Sequence, residues 1–176
     1  MGIFDIFFRT GGTIDDERLE LLKNTALFQG LRNRDYAELS ELLYDTHYEE
    51  GEKIFSEGDP SSAIYIIESG RVGLFFEDAE GVKRQLTNLE KGAFFGELAL
   101  CQDHRRTISA RTLEDSMIIA IFRQELKEYM DRERDTGNDI LMNVVTVMGE
   151  RLQEVNHQVQ DLKSQIEQLQ SENETE

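Results

Sequence analysis

Within Phe95 to Ser109, reading F-G-E-L-A-L-C-Q-D-H-R-R-T-I-S, an acid and a base stand nine positions apart beside a glycine and a short apolar turn. Arg106 carries a planar fork of donors that matches phosphate oxygens. Glu97 only accepts hydrogen bonds, so it suits hydroxyls and repels phosphate. Gly96 has no Cβ to hold a ligand away from the backbone. Leu98, Ala99 and Leu100 can form a helical turn whose free N–H groups make an anion site. These types together fit a ligand with a hydroxyl at one edge and a phosphate at the other. A ribose closed onto its own phosphate is such a ligand. The competing reading is a buried Glu97–Arg106 pair that only braces a loop.

Such a segment needs a scaffold, and the chain changes character three times around it. After Gly11-Gly12, a candidate hinge, the acids Asp15, Asp16 and Glu17 suit the start of a helix. Leu19, Leu21, Leu22 and Ala26 give that helix an apolar face. A second helix starts from about Asn33, a candidate N-cap, with Tyr36, Leu39, Leu42 and Leu43 at helical spacing. From Thr46 to Phe122 short β segments alternate with glycine. Lys53–Phe55, Ala63–Glu68, Arg71–Glu77, Val82–Asn88, Ile108–Thr112 and Met117–Phe122 are the candidate strands. Close strands with regular turn signals predict a small antiparallel barrel or jelly roll. Val72, Leu74 and Phe76 alternate with Gly73 and Phe75, which predicts a strand buried on both faces.

The C-terminal part predicts a short helix over Gln124–Tyr129, a polar break over Arg132–Gly137 and a long helix from Asn138. Leu141, Val145, Met148, Leu152, Val155, Val159, Leu162, Ile166 and Leu169 recur at alternating steps of four and three. That narrow seam is the mark of a coiled coil, and β-branched residues at a with mostly Leu at d favour a parallel pair. The fold expectation is a mixed α and β chain. It has a small antiparallel β-barrel or jelly roll, flanked by N-terminal helices and a long C-terminal coiled-coil helix. Its parts are residues 1–26, an apolar strip and helix; 27–135, the ligand-binding domain; and 136–176, a dimerisation helix with an acidic tail from Ser171.

Composition limits the function classes. The 36 acidic against 19 basic side chains give a net charge of −17, which repels nucleic acid phosphates and argues against a DNA-binding role. With Cys101 alone there is no intrachain disulfide, which suits a reducing cytoplasm. His47, His104 and His157 lack metal-ligand spacing, and no catalytic grouping is suggested, so neither metal nor enzymatic activity is expected. No apolar run approaches the roughly 18 residues of a membrane span. The strip Ile3–Phe8 fits neither a secretory signal nor the myristoylation pattern. Docking on the protein's own helices is preferred to membrane contact for it.

The central segment resembles the phosphate-binding cassette of the cyclic nucleotide-binding domain family, shared by catabolite activator proteins, protein kinase A regulatory subunits and gated channels. The likeness extends from about Leu27 to Leu162. It includes L-F-Q-G-L at Leu27, G-E-K-I-F-S-E-G-D at Gly51, Y-I-I-E-S-G-R-V at Tyr65 and G-A-F-F-G-E-L-A-L at Gly92. The resemblance implies that Glu97 binds the ribose 2′-hydroxyl and Arg106 the cyclic phosphate. Gly96, Leu98, Ala99 and Thr107 would add contacts, chiefly from the backbone. D-I-L-M at Asp139 and R-L-Q at Arg151 resemble the dimer helix of the activators, which implies base contacts at Val155 and Asn156. Val155 lacks a hydrogen-bonding side chain, so Asn156 carries that expectation, against a solvated surface position. Ile108 stands where the family has a small residue, so it either faces the core or crowds the ligand. Alternation in a strand favours the core.

The implied function is a cytoplasmic, homodimeric sensor of cyclic AMP, with cyclic GMP as the alternative because of Thr107. It would act on an unidentified protein effector and carry no DNA-reading part of its own. A ligand-free scaffold or a sensor of another small anion are the other readings.

Overall fold

In the computed structural model the described residues are 8–9, 16–78, 80–101 and 105–173. The expected strip at the N-terminus, the Gly11-Gly12 hinge, His104 and the end of the acidic tail lie outside them. From the strip only the backbone of Phe8–Arg9 is described. It forms β1, antiparallel to β2 (Tyr44–Tyr48).

The remaining strands are β3 (Lys53–Phe55), β4 (Ala63–Ser69), β5 (Val72–Glu77), β6 (Lys83–Leu89), β7 (Phe94–Phe95), β8 (Ser109–Thr112) and β9 (Ser116–Phe122). They form two antiparallel sheets, ordered β1-β2-β9-β4-β7 and β3-β8-β5-β6. The sandwich fits the expected jelly roll, and the fold class is as read from the sequence. β2 and β7 were absent from the candidate strands. β5 is buried only in its first half, with Phe75 and Phe76 half-buried.

The first sheet is central because β4 and β9 are apolar on both faces. Ile64, Ile66, Ile119 and Ile121 point to the helices, where they join Leu22, Phe28, Leu39 and Tyr129 in one core. Ala63, Tyr65, Ile67, Ile118 and Ala120 point the other way, against Phe55, Val72, Leu74 and Ala110 of the second sheet. A period of two in a strand makes this division. The near-continuous apolar run Ala63–Ile67 is its sequence signature.

The helices are α1 (Asp16–Asn24), a short 3-10 turn at Ala26–Phe28, α2 (Asn33–Ser40), α3 (Leu98–Cys101), α4 (Arg123–Arg132) and α5 (Arg134–Asn173). The N-cap of α2 is Arg32, not Asn33; the Asp35 carboxylate accepts the Arg32 backbone N–H at 3.1 Å. The polar break between α4 and α5 is one residue, Glu133, with φ −103° and ψ 72°. Gly137, read as part of that break, lies inside α5. A Cβ there would stand 2.7 Å from the Met130 carbonyl, so this glycine permits the close approach of α4 and α5.

The start of α5 is fastened to the body. Ile140 and Val144 enter the helical core, Asn143 Nδ2 donates to the carbonyls of Leu27 (3.2 Å) and Gln29 (2.9 Å), and Arg32 donates to Thr136 Oγ1 at 3.0 Å. Of the seam residues only Met148 takes part in this docking. Met148 is partly buried, while the other eight lie 43% to 61% exposed. No helix among the described residues is long and apolar enough to cross a membrane.

Candidate ligand-binding cavity

A cavity of about 450 Å³ opens between the second sheet, the turn leading into α3, and the middle of α5. That volume is within the range of small-molecule sites. Its walls are mostly apolar, with Leu74, Leu86, Leu89, Ile108 and Val155 among them, and its polar groups are few.

Arg106 is the most consequential of those groups. Its residue is only 6% exposed. Backbone bonds hold it from both sides: its N–H donates to Asp59 O at 2.8 Å, and its carbonyl accepts from Gly58 N–H at 2.8 Å. The guanidinium lies 4.2 Å from the centre of the Phe55 ring and 5.4 Å from that of Tyr65, so the aromatic faces stabilise its charge. Nη1 donates to Gly96 O at 3.3 Å and Nη2 to Ala63 O at 2.7 Å. Nε is buried and has no partner among the described residues. Burial pushes the guanidinium below its ordinary pKa, with Tyr65 and Glu97 pulling it back up.

Gly96 is what allows this placement. Its φ is +79°, and an added Cβ would sit 2.7 Å from Arg106 Nη1. Any larger residue would collide with the guanidinium and strain the turn.

Glu97 does not pair with Arg106. Its Oε1 accepts from Arg151 Nη1 of α5 at 2.5 Å, and Arg151 Nη2 donates to Phe94 O at 3.0 Å. Each member of the supposed loop brace therefore has other partners, and the Glu97–Arg106 pair is not formed. Glu97 is 9% exposed and opens onto the cavity, one wall away from Arg106. An acceptor and a buried donor thus face one space without a hydrogen bond between them.

Gly96, Glu97, Leu98, Arg106 and Thr107 are all brought to the cavity. Ala99 is not on its wall: it is fully buried, and its N–H donates to Gly96 O at 3.0 Å inside the α3 turn. Asn156 is exposed on α5 and does not line the cavity, whereas its neighbour Val155 does. Ile108 both lines the cavity and packs on the inter-sheet core. Thr107 and Ile108 share the cavity because they lie in a bend before β8, where the alternation of a strand does not apply. Arg105 is exposed at the rim and donates to Gly58 O at 2.7 Å.

Arg151, Glu154 and Gln158 were missed as cavity residues. The signal for them was present in α5 as a second stripe beside the seam. Ile140, Val144, Val147, Arg151, Glu154 and Gln158 also follow steps of four and three. Its first members are apolar and meet the body; its later members are polar and meet the cavity. Among the described residues no group of His, Cys, Asp and Glu is placed to hold a metal ion.

A sequence profile described as "Cyclic nucleotide-binding domain" matches residues 45–133, half of the chain, and spans every strand from β2's second residue to β9. The chain belongs to this family. It is 34% identical over 104 residues to the Cyclic AMP receptor protein of Thermus thermophilus, covering 59% of this chain and 48% of that one. It is 32% identical over 163 residues to Glutaminase 1 of Bradyrhizobium diazoefficiens, covering 90% of this chain and 25% of that enzyme. The chain therefore spans about half the length of the first relative and a quarter of the second. Among solved structures, a cyclic nucleotide-binding domain from Methylobacillus flagellatus superposes with a TM-score of 0.75 at 18% identity, covering 88% of each chain. At that identity the likeness speaks for the fold.

Proposed function

We propose that this protein is a non-enzymatic regulatory sensor that binds cyclic AMP in the cavity, dimerises in parallel through α5 and signals to a protein effector. The observation that carries the reading is Arg106, a buried cation whose Nε has no partner and to which no carboxylate is bonded among the described residues, facing the same space as Glu97. A buried charge with no carboxylate hydrogen-bonded to it costs stability, which a bound anion would offset. A cyclic phosphate supplies the missing counterion, and the ribose 2′-hydroxyl supplies a donor to Glu97. Arg151 ties Glu97 to α5, so a hydroxyl that takes up Glu97 bears directly on the helix. The receptor in the printed name of the Thermus relative binds cyclic AMP, which supports that ligand over cyclic GMP.

The dimer rests on the seam. Eight of its nine apolar residues are exposed at coiled-coil spacing; of the seam only Met148 packs on the helical core and Val155 borders the cavity. A second copy covers such a face with like residues. Titration calorimetry with cyclic AMP, cyclic GMP and linear AMP tests the site. Saturable binding of the cyclic forms with linear AMP rejected supports it, and no binding of any removes it. Sedimentation tests the dimer: Val159→Glu buries facing carboxylates at the seam and should shift the chain toward monomer. An unchanged dimer would move the interface elsewhere.

A further inference from the structure

Three polar side chains among the described residues line the cavity while more than nine-tenths buried: Ser61, Glu97 and Arg106. The ribose and phosphate employ the last two and leave Ser61 without a role. The loop between β3 and β4 sets it beside Arg106. Gly58 N–H and Asp59 O hold the backbone of Arg106, each at 2.8 Å, and Pro60 pairs with Arg105 in an antiparallel bridge. Ala63 O, two residues beyond Ser61, accepts from Arg106 Nη2 at 2.7 Å. Ser61 thus lies between the groups that hold the backbone of Arg106 and the one that holds its guanidinium. Its hydroxyl makes no hydrogen bond to any described residue. A buried hydroxyl in that condition is unfavourable until a donor or acceptor reaches it.

We infer that Ser61 is a second anion donor of this cavity: its hydroxyl donates to one exocyclic oxygen of the cyclic phosphate while Arg106 takes the other. This rests on the cyclic nucleotide reading of the cavity given above. A hydroxyl carries one donor that rotates to suit its acceptor, and a bond to an ionised oxygen is among the stronger ones. Being neutral, Ser61 adds direction without adding charge. That suits the single negative charge of a cyclic phosphodiester, which the Arg106 guanidinium balances by itself. Thr107, the hydroxyl next to Arg106 in the chain, also lines the cavity but is exposed, so water serves it.

The test uses cyclic AMP and its two phosphorothioate diastereomers, in each of which sulfur, a weak acceptor, replaces one exocyclic oxygen. Calorimetry on the full chain should show Ser61→Ala losing cyclic AMP affinity by roughly tenfold to a hundredfold, as a hydrogen bond to a charged group allows. The parent should bind both diastereomers more weakly than cyclic AMP. Ser61→Ala should lose its discrimination against one of them, the diastereomer with sulfur toward position 61, and keep it against the other. The hydroxyl has no partner among the described residues, so its removal does not threaten the fold. Taking ratios of probes within each protein also cancels any general loosening of the site. Unchanged cyclic AMP affinity in Ser61→Ala overturns the inference, as does a variant that discriminates against both diastereomers as the parent does; in either case the cyclic nucleotide reading stands. A parent that binds none of the three probes removes both.

Discussion

Arg18 and Arg106 are both withdrawn from solvent, and they sit in opposite electrostatic surroundings. Arg18, on α1, donates to Asp45 Oδ2 of β2 at 2.9 Å and to Glu68 Oε1 of β4 at 3.1 Å. Burial works against its charge, but the two carboxylates outweigh it and hold its pKa above the ordinary value. Arg106 has carbonyls and aromatic rings around it, and burial leaves its pKa below the ordinary value. The first arrangement is complete within the chain and clips a helix to the central sheet. The second has no carboxylate bonded to it among the described residues and keeps a buried Nε without a partner there. The contrast fits a scaffold role for Arg18 and the proposed ligand role for Arg106.

Exchanging each arginine should separate binding from stability. Arg106→Leu should lose roughly two to three decades of cyclic AMP affinity, because a buried charge loses its partner in the complex. The same change removes from the free protein a buried charge with no carboxylate bonded to it among the described residues, so its melting temperature without ligand should stay level or rise. Arg18→Ala should do the reverse. Two carboxylates left without their cation should lower stability by about 1–3 kcal/mol, read by denaturant unfolding, with affinity unchanged. A loss of stability in Arg106→Leu comparable to that in Arg18→Ala would erase the contrast.

A carboxylate offers the same comparison from the other side. Asp35 is buried at the start of α2, and burial alone would raise its pKa. Bonds from Arg32 and Thr136 prevail and hold it below the ordinary carboxylate range. A depressed folded pKa stabilises the fold above the unfolded value, about 3.9, and the gain disappears as pH falls through the lower folded value. Acid unfolding should therefore be less steep in Asp35→Asn than in the parent below about pH 4. Equal slopes would mean that this clip contributes nothing.

The smallest expected effect belongs to the third arginine. Arg151 is 44% exposed in its side chain and ties α5 to Glu97. Such a partly solvated pair is worth about 1 kcal/mol at most. In Arg151→Ala, amide exchange in α5 beyond Gly149 should quicken by up to about fivefold, while the turns carrying Ile140 and Asn143 keep the parent's protection. Equal acceleration along the whole helix would mean that its two halves are not separately held.

The strands most legible in the sequence were those with aliphatic runs, such as Ala63–Ile67, because their burial is written in every residue. β2 reads Y-D-T-H-Y, and only Thr46 and Tyr48 are buried in it, so no aliphatic alternation announces a strand. β7 is two residues long and is formed by pairing with β4. Gly137 looked like a breaker, but its reason is the contact with Met130, which no local pattern reveals. At the site, residue types pointed to Glu97 and Arg106 as chemistry, while their partners were not legible. Arg151 lies 54 residues from Glu97, and Ala63 lies 43 from Arg106. The seam on α5 was conspicuous because it is apolar throughout. The neighbouring stripe changes from apolar to polar halfway and went unnoticed for that reason.

The Nε–H of Arg106, without a partner among the described residues, is itself observable. Side-chain ¹H–¹⁵N spectra of arginine, with the Arg106 signal assigned through its disappearance in Arg106→Lys, can follow that group while cyclic AMP is added. The predicted result is a downfield shift and slowed hydrogen exchange of the Arg106 Nε–H that saturate together with binding. An Arg106 Nε–H that stays where it was at full occupancy would contradict the assignment of the buried guanidinium as the phosphate site.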